Sequence, residues 1–330
     1  MLNKNQKLNK NTLNKENLEM VPTRNGFGDG LLELGGRDKD VLALCADLAE
    51  STRMEAFKNK FPDRYVELGV AEQNLATVAA GMAAMGKTPF IASYAAFSPG
   101  RNNEQIRTTI SLNNSNVKIV GSHAGVSVGP DGATHQALED IGLMRMQPNM
   151  TVVVPCDSEE ARKATIAIGE TVKPAYIRLG RSKSPLFTTK DTPFEIGKAE
   201  ILYEAEEPMV GIIGAGAVLH NALLAADEMT KHGVPTSVMN LATIKPIDKV
   251  AIIEFAKQCG AIVTVEEHQV AGGLGSAVAE VLASEYPVPM EFIGVHDQFG
   301  QSGNPDELIA HYKMDKDSIK DATEKVLRRK

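Results

Sequence analysis

The stretch YVELGVAEQNLATVAAGMAAMGKTPFIASYAAF, residues 65–97, contains the clearest pattern of secondary structure in this chain. A short apolar run at 65–69 is followed by apolar residues at helical spacing, which predicts a strand and then a helix over residues 71–85. Gly86 ends that helix, and the aromatic and β-branched residues of 88–97 predict a second strand. A strand, a helix and a strand in this order are typical of a parallel sheet covered by helices.

The same alternation extends in both directions from this unit. Further strands are predicted at VLALCADL (41–48), VKIVGS (117–122), TVVVP (151–155) and AYIRLG (175–180). The proline-containing stretch 181–197 interrupts the alternation and is predicted to be a linker. We therefore predict a polar N-terminal tail over residues 1–20 and two three-layer α/β domains with mainly parallel sheets, over 21–190 and 191–330.

Composition excludes several classes of protein. The 330 residues are 43% apolar and 23% charged, and the net charge of −7 offers no basic face for nucleic acid. No apolar stretch is long enough to cross a bilayer, and the N-terminus lacks the apolar region of a secretory signal. The three cysteines show no CxxC or metal-ligand spacing, so we expect reduced thiols in a cytoplasmic protein without a membrane or nucleic-acid partner.

Three glycine-rich segments resemble binding motifs, but the residues around each of them disfavour a binding function. GAGAVL (214–219) follows a predicted strand, but Leu219 replaces the third glycine of a dinucleotide fingerprint, and a tight turn is the simpler interpretation. The GDG triplet at 28–30 lies inside a helical pattern and has no asparagine pair downstream, so we interpret it as structural. His268 precedes a glycine-rich turn, where a contact between domains is favoured over an anion site.

Polar residues stand out in two places. Glu72 is the only acid between Leu68 and Gly86, among small and apolar residues, so helix geometry exposes it or it is buried for a purpose. His123, Asp131 and His135 share a glycine-broken loop, which suits hydroxyl recognition and proton transfer to oxygen. A metal site is disfavoured because no third neutral ligand accompanies the histidines, and no nucleophile elbow is present. The alternative for each of these residues is a purely structural role, either at the surface or in the core with its polar atoms hydrogen-bonded.

The predicted topology gathers these residues. Asp47, Glu72, His123 and Arg181 each come just after a predicted strand. The carboxyl ends of parallel strands share one edge of a sheet, where ligands bind in folds of this kind. We therefore expect the four side chains to lie at one edge.

Six motifs occur in one order along almost the whole chain from residue 20. They are CADLAEST (45–52), ELGVAEQN (67–74), PFIASYAAF (89–97), HAGVSVGPDGATHQALED (123–140), YIRLGR (176–181) and EEHQVAGGLGSAVAEV (266–281). This combination resembles the C-terminal half of transketolase. The resemblance implies the pyrimidine-binding domain of thiamine-diphosphate enzymes, followed by the transketolase C-terminal domain.

The resemblance also implies roles for individual residues. Glu72 looks like the glutamate that hydrogen-bonds a pyrimidine ring nitrogen of the cofactor and favours its imino tautomer. His135 resembles a proton carrier beside the donor's first hydroxyl and carbonyl oxygen. The remaining cofactor-binding positions are Asp47, Leu48, Tyr94 and Phe97, and the substrate-binding positions, which also include His135, are Arg24, Ser51, His123, Asp131 and Arg181. Arg24 and Arg181 suit a phosphate because a guanidinium group can donate two parallel hydrogen bonds to its oxygens.

The sequence departs from the family pattern in two respects. A third aromatic residue of the pyrimidine pocket is replaced near Gly100. Nothing supplies the domain that binds diphosphate and Mg²⁺, so the resemblance implies an N-terminal partner subunit that carries a GDG motif and the metal. We expect two copies of each subunit, with self-association through both domains of this chain.

The expected function is that of the C-terminal subunit of a split transketolase in the pentose phosphate pathway. It would move a two-carbon ketol unit from a ketose phosphate to an aldose phosphate, and only with its partner. A beta subunit of a 2-oxo acid dehydrogenase decarboxylase is the first alternative, and DGATHQ with the two arginines disfavours it. A second alternative is a catalytically inactive scaffold that only binds a partner subunit. Deoxyxylulose phosphate synthase is the least favoured alternative.

Overall fold

Two sheets and a two-stranded ribbon organise the chain, which a computed structural model describes over all 330 residues. The strands are β1 (Met20–Pro22), β2 (Val41–Cys45), β3 (Tyr65–Glu67), β4 (Thr88–Tyr94), β5 (Lys118–Ser122), β6 (Thr151–Val153), β7 (Ala175–Arg178), β8 (Lys183–Pro185), β9 (Glu200–Tyr203), β10 (Val210–Gly214), β11 (Thr236–Asn240), β12 (Thr243–Lys245), β13 (Ile262–Gln269) and β14 (Met290–Val295).

Eleven α-helices connect and cover these strands. They are α1 (Thr23–Arg37), α2 (Glu55–Lys60), α3 (Glu72–Ala84), α4 (Asn103–Gln105), α5 (Asp140–Arg145), α6 (Ser158–Gly169), α7 (Leu219–Lys231), α8 (Lys249–Cys259), α9 (Leu274–Glu285), α10 (Pro305–His311) and α11 (Lys316–Leu327). Helix α4 continues into a π-helical turn over Ile106–Ser111.

The first sheet has the strand order β12-β6-β7-β5-β4-β2-β3, and all its strands are parallel except β12. The unit at residues 65–97 forms β3, α3 and β4, so the predicted strand, helix and strand are confirmed. Strand β5 is buried at every residue, as expected for a central parallel strand with helices on both faces. The fold class predicted from the sequence is correct.

Helices α1 and α6 pack closely because glycines lie between them. A Cβ atom at Gly26 would lie 1.7 Å from the carbonyl oxygen of Ser158, and one at Gly30 would lie 2.7 Å from that of Arg162. Side chains at these two positions would push the helices apart. Of the GDG triplet, which lies within α1, Gly30 serves this packing, whereas Gly28 lies against Arg53 and Asp29 is exposed.

The second sheet has the order β14-β13-β10-β11-β9, with only β9 antiparallel. From the central strand β10 the chain passes to β11 on one side and later to β13 on the other. The sheet therefore has a topological switch point at the carboxyl ends of β10 and β13. One apolar cluster contains side chains of both sheets, which joins the two halves of the chain through a shared core.

Several segments pair with parts of the chain that are distant in sequence. Strand β12, from the second half, extends the first sheet beside β6. The N-terminal residues lie along β9, where the N–H of Asn3 donates to the carbonyl oxygen of Leu202 at 2.9 Å. In the predicted linker, Phe187 is fully buried, and its N–H donates to the Asp157 carboxylate at 3.0 Å. No helix is at once long and apolar enough to span a membrane.

Candidate active site

The carboxyl edge of the first sheet gathers the residues that the sequence singled out. Asp47 and Leu48 follow β2, Glu72 follows β3, Tyr94 ends β4, Phe97 lies three residues later, His123 follows β5 and Arg181 follows β7. Arg24 comes to the same region from the first turn of α1, which starts after the β1 strand. The expectation that Asp47, Glu72, His123 and Arg181 share one edge is confirmed by the topology.

His123 is held between a serine and an arginine. Its ring is buried, with Nδ1 at 2.9 Å from Ser122 Oγ and Nε2 at 3.2 Å from Arg24 Nη1. A guanidinium donates and never accepts, so Nε2 is the accepting nitrogen and Nδ1 carries the proton. Arg24 Nη1 also donates to the carbonyl oxygen of Ser51 at 2.7 Å. Arg24 therefore contacts both Ser51 and His123, two further positions that the resemblance assigned to substrate binding.

Three guanidinium groups surround this contact. Burial, followed by the positive charges of Arg53 and Arg181, lowers the pKa of Arg24. Arg181 Nη1 donates to the carbonyl oxygen of Val128 at 2.9 Å, and Arg24 Nε is buried without a partner. None of the three forms an ion pair within the chain. We call Arg24, Arg53 and Arg181 the arginine cluster, and three guanidinium groups without an ion-pair partner suit a dianion such as a phosphate. Arg53 was not among the predicted residues.

Burial, and then the charges of Arg24 and Arg181, lower the pKa of His123 to about 3. Burial likewise lowers the pKa of His220 and of His268 to about 4. All three histidines are therefore neutral in the folded chain at neutral pH.

This neutrality predicts acid sensitivity. A histidine with a depressed folded pKa gives stability that is complete above its unfolded pKa of about 6.5 and is lost as the pH falls toward the folded value. At pH 5 each histidine costs about 2 kcal/mol of the free energy of unfolding. His123→Gln should therefore reduce the loss of stability between pH 7.5 and pH 5 in urea unfolding. The exposed His232→Gln is the control, and equal slopes for both variants would contradict the prediction.

Four rings form a continuous cluster beside the arginines. Tyr94 stacks on His123 with centroids 3.9 Å apart and on Phe97 at 5.9 Å. His135 meets the edge of this stack, 5.3 Å from Phe97 and 6.0 Å from Tyr94. Thr134 Oγ1 lies 2.9 Å from His135 Nδ1, which leaves Nε2 without a partner in the chain. His135 is thus positioned over the aromatic wall with one ring nitrogen free.

Glu72 is buried, with 1% of its side chain exposed, at the start of α3. Ser93 Oγ donates to Oε1 at 3.1 Å, and Arg101 Nη1 donates to Oε2 at 2.5 Å. The amide of Asn102 holds the backbone carbonyl of Glu72 at 3.0 Å. Glu72 is therefore buried rather than exposed by helix geometry, and hydrogen-bond donors fix the orientation of its carboxylate.

Arg101 links Glu72 to the ring cluster and was not predicted. Its guanidinium carbon lies 4.7 Å from the centre of the Phe97 ring, and 48% of its side chain is exposed. A Cβ atom at Gly100 would lie 2.1 Å from the carbonyl oxygen of Ala96, so this backbone accepts no aromatic residue there. Arg101 covers the Phe97 face instead.

Asp47, Leu48 and Asp131 are less closely connected to the cluster. Asp47 is exposed, and its N–H donates to Glu67 at 2.7 Å. Asp131 is exposed and forms no hydrogen bond or ion pair with the other predicted residues. Its loop packs against the second sheet's side of the chain, since a Cβ atom at Gly132 would lie 2.6 Å from Ser302 Oγ.

A carboxylate of the protein itself occupies the position near His268 where an anion could have bound. Both carboxylate oxygens of Glu266 accept N–H groups at the start of α9, from Leu274 and Gly275, each at 2.7 Å. His268 is fully buried and accepts, at 3.4 Å, from the N–H of Gly142 beside the first sheet. The segment is a contact between the two halves of the chain. No group of three or more His, Cys, Asp or Glu side chains is arranged to hold a metal ion.

Comparison with known proteins supplies the family context. Residues 19–185 match the model of the transketolase pyrimidine-binding domain, and residues 197–319 match that of the transketolase C-terminal domain. A putative transketolase C-terminal section of Methanocaldococcus jannaschii is 42% identical over 90% of this chain and 93% of its own. One subunit of an apulose-4-phosphate transketolase from Phocaeicola vulgatus is 38% identical over 91% of this chain and 96% of its own.

A solved structure gives the same relationship in three dimensions. It is described as a split gene transketolase in an inactive beta4 tetramer, with 42% sequence identity and a TM-score of 0.87. The similarity covers 93% of this chain and 99% of the solved chain.

Proposed function

The chain belongs to the transketolase family and is the C-terminal subunit of a split transketolase, and from this membership we propose how its residues act. The family depends on thiamine diphosphate, which supplies the carbanion chemistry when bound. We propose transfer of a two-carbon ketol unit from a ketose phosphate to an aldose phosphate, as in the pentose phosphate pathway. The two domains are proposed to be residues 21–190 and 191–330.

The arginine cluster carries the choice of substrate. It lies at the edge of the sheet that also presents Glu72, and none of its guanidinium groups forms an ion pair, although the charge of Glu50 acts on Arg24. Neutral His123 adds a hydrogen-bonding group without a like charge. A phosphate at the end of the sugar satisfies these donors, whereas a small 2-oxo acid with its single carboxylate leaves most of them unpaired.

The residues around Glu72 fit the pyrimidine end of the cofactor. Glu72 offers a buried acceptor, and its partner Arg101 is half-exposed. Tyr94 and Phe97 offer apolar ring faces beside it. In the proposed roles Glu72 accepts an N–H of the pyrimidine ring, and Asp47 and Leu48 line the cofactor across a subunit interface.

The remaining residues handle the sugar. We propose that His135 gives and takes a proton at the donor's first hydroxyl and carbonyl oxygen through its free ring nitrogen. Asp131 accepts a hydrogen bond from a hydroxyl of the ketose. Arg24, Ser51, His123 and Arg181 hold the phosphate, with Arg53 added by the structure.

The charged end of the cofactor is assigned to the partner. The only GDG triplet of this chain lies inside helix α1, where Gly30 packs against α6 and Gly28 against Arg53, so it does not form a glycine loop that could surround a diphosphate. We propose that an N-terminal subunit carries the GDG motif and a divalent metal such as Mg²⁺, and that two copies of each subunit assemble. The description of the solved relative as an inactive beta4 tetramer supports both self-association and the need for another subunit. A cytoplasmic location is proposed from the three unpaired, buried cysteines.

A donor comparison tests the substrate class. With the partner subunit, thiamine diphosphate and Mg²⁺ present, we expect ketol transfer from xylulose 5-phosphate to ribose 5-phosphate and no acyl transfer from pyruvate to a lipoyl domain. Product formation by mass spectrometry distinguishes the two reactions. Turnover of pyruvate alone would assign the chain to the decarboxylase alternative, and turnover of neither donor by a correctly assembled complex would favour the scaffold.

A further inference from the structure

A second pocket lies between the two sheets, at the switch point of the second one. It is a cavity of about 80 Å³ lined by the N-terminal segment, the loop after β7, the turn after β10 and the end of β13. Ligands of open parallel sheets bind in this position, beyond the carboxyl ends of strands whose connections diverge. None of the residues proposed above for cofactor or substrate lines it.

A buried arginine points a free donor into this pocket. The Arg178 side chain is 6% exposed, and its Nε donates to Asp140 while its Nη2 donates to the carbonyl oxygens of Ala137 and Glu267. Its Nη1 makes no hydrogen bond and is not among the buried polar atoms without a partner, so it keeps accessible surface in the pocket. A buried guanidinium with an open N–H is a costly arrangement unless an acceptor arrives.

The turn that leads into α7 adds backbone donors. Gly216, Ala217 and Val218 line the pocket, and the N–H groups of Ala217 and Val218 have no acceptor in the chain. The start of a helix carries partial positive charge and binds oxyanions. Two exposed lysines, Lys15 and Lys183, stand at the rim.

An acceptor on the opposite side defines the rest of the ligand. Glu267 accepts the N–H of Ser127 through Oε1 at 2.7 Å, and its Oε2 has no partner. His220 also lines the pocket, but its Nε2 donates to the carbonyl oxygen of Thr12 at 2.8 Å and its unpaired Nδ1 is buried away from the cavity. A ligand that satisfies Glu267 presents a hydroxyl beside its anionic group.

We propose that this pocket binds the phosphate or carboxylate group of a hydroxylated metabolite and thereby joins the two domains. At about 80 Å³ the cavity is several times the roughly 10–15 Å³ that one water molecule needs, which is room for one oxyanion group, with the rest of the metabolite directed outward. The site touches the loop that carries Arg181, because Ser182 lines the pocket. It thus connects a bound effector to the arginine cluster without sharing its donors.

Calorimetric titration of the full chain with inorganic phosphate tests the proposal in an Arg181→Ala background, which weakens binding at the arginine cluster. Lys183→Glu should raise the dissociation constant of the remaining site about tenfold, as expected for a lost charge-assisted contact. Lys39→Glu is the matched control, since Lys39 is equally exposed but precedes β2 at the opposite edge of the first sheet. Glu267→Gln should lower the dissociation constant about fivefold because it removes a carboxylate that repels the anion.

The two variants should change the dissociation constant in opposite directions. This distinguishes an effect on binding from misfolding, because an unfolded variant does not gain affinity. A parallel titration with acetate distinguishes the sources: tighter binding of phosphate assigns a phosphorylated metabolite, and tighter binding of acetate assigns a hydroxy acid. Lack of saturable binding of either anion, or a Lys183→Glu variant that behaves like Lys39→Glu, would overturn the proposal. No turnover is measured, so the result is independent of the catalytic proposal.

Discussion

Glu72→Gln should lower the kcat of the assembled enzyme by about a thousandfold, the scale at which a misplaced proton in an active site limits turnover. The amide keeps the size of the side chain and its contacts with Ser93 and Arg101 in part, but it lacks the charge that favours the required tautomer of the pyrimidine. Steady-state ketol transfer with the partner subunit measures the effect.

Assembly must remain intact for this result to be informative. Sedimentation of the variant with its partner should give the same complex as the unchanged chain, since Glu72 is buried inside the first domain. Glu104→Gln is the matched control, because Glu104 is an exposed acid on α4 close by in sequence to Arg101. A kcat for Glu72→Gln within a few-fold of that of Glu104→Gln would remove Glu72 from the mechanism.

Arg181→Ala should raise the KM for phosphorylated donors about tenfold to a hundredfold, the cost of one or two charge-assisted hydrogen bonds. The kcat should change less, because the phosphate lies away from the reacting carbonyl. Donors without a phosphate make no use of the arginine cluster, so hydroxypyruvate should be converted with an unchanged KM. The initial rates for xylulose 5-phosphate and for hydroxypyruvate provide this comparison.

Arg107→Ala controls for the loss of a positive charge. Arg107 is exposed and its side chain makes no hydrogen bond or ion pair. An Arg181→Ala variant that loses the same factor with both donors would show a general structural defect. An unchanged KM for xylulose 5-phosphate would place the phosphate elsewhere and would leave the arginine cluster unexplained.

The sequence predicted the parts of the fold that depend on local pattern. Each predicted strand of residues 41–180 is present, and the helix predicted at 71–85 is observed at Glu72–Ala84. Parallel topology then placed Asp47, Glu72, His123 and Arg181 at one edge, because successive strand ends must meet there. Contacts such as that between Arg24 and His123 follow from motifs brought together by this topology.

Other features required information that no local pattern holds. Arg101 and Arg53 lie on turns whose conformation decides where a long side chain points, and the sequence offers many exposed arginines. The pairing of β12 with β6 depends on packing between the two halves, and so does the course of the N-terminal segment along β9. Whether Arg178 keeps a free donor depends on the acceptors that the tertiary structure brings to the rest of its guanidinium, from Asp140, Ala137 and Glu267.

The proposed function rests on the claim that this chain holds the acid and the sugar-binding residues of a pocket that a second polypeptide completes. Isothermal titration of the purified chain with thiamine diphosphate and Mg²⁺, with and without the N-terminal subunit, is the measurement that tests this claim. We predict no saturable binding and no ketol transfer by the chain alone, and both on addition of the partner. Tight cofactor binding together with ketol transfer by the chain alone would contradict the claim.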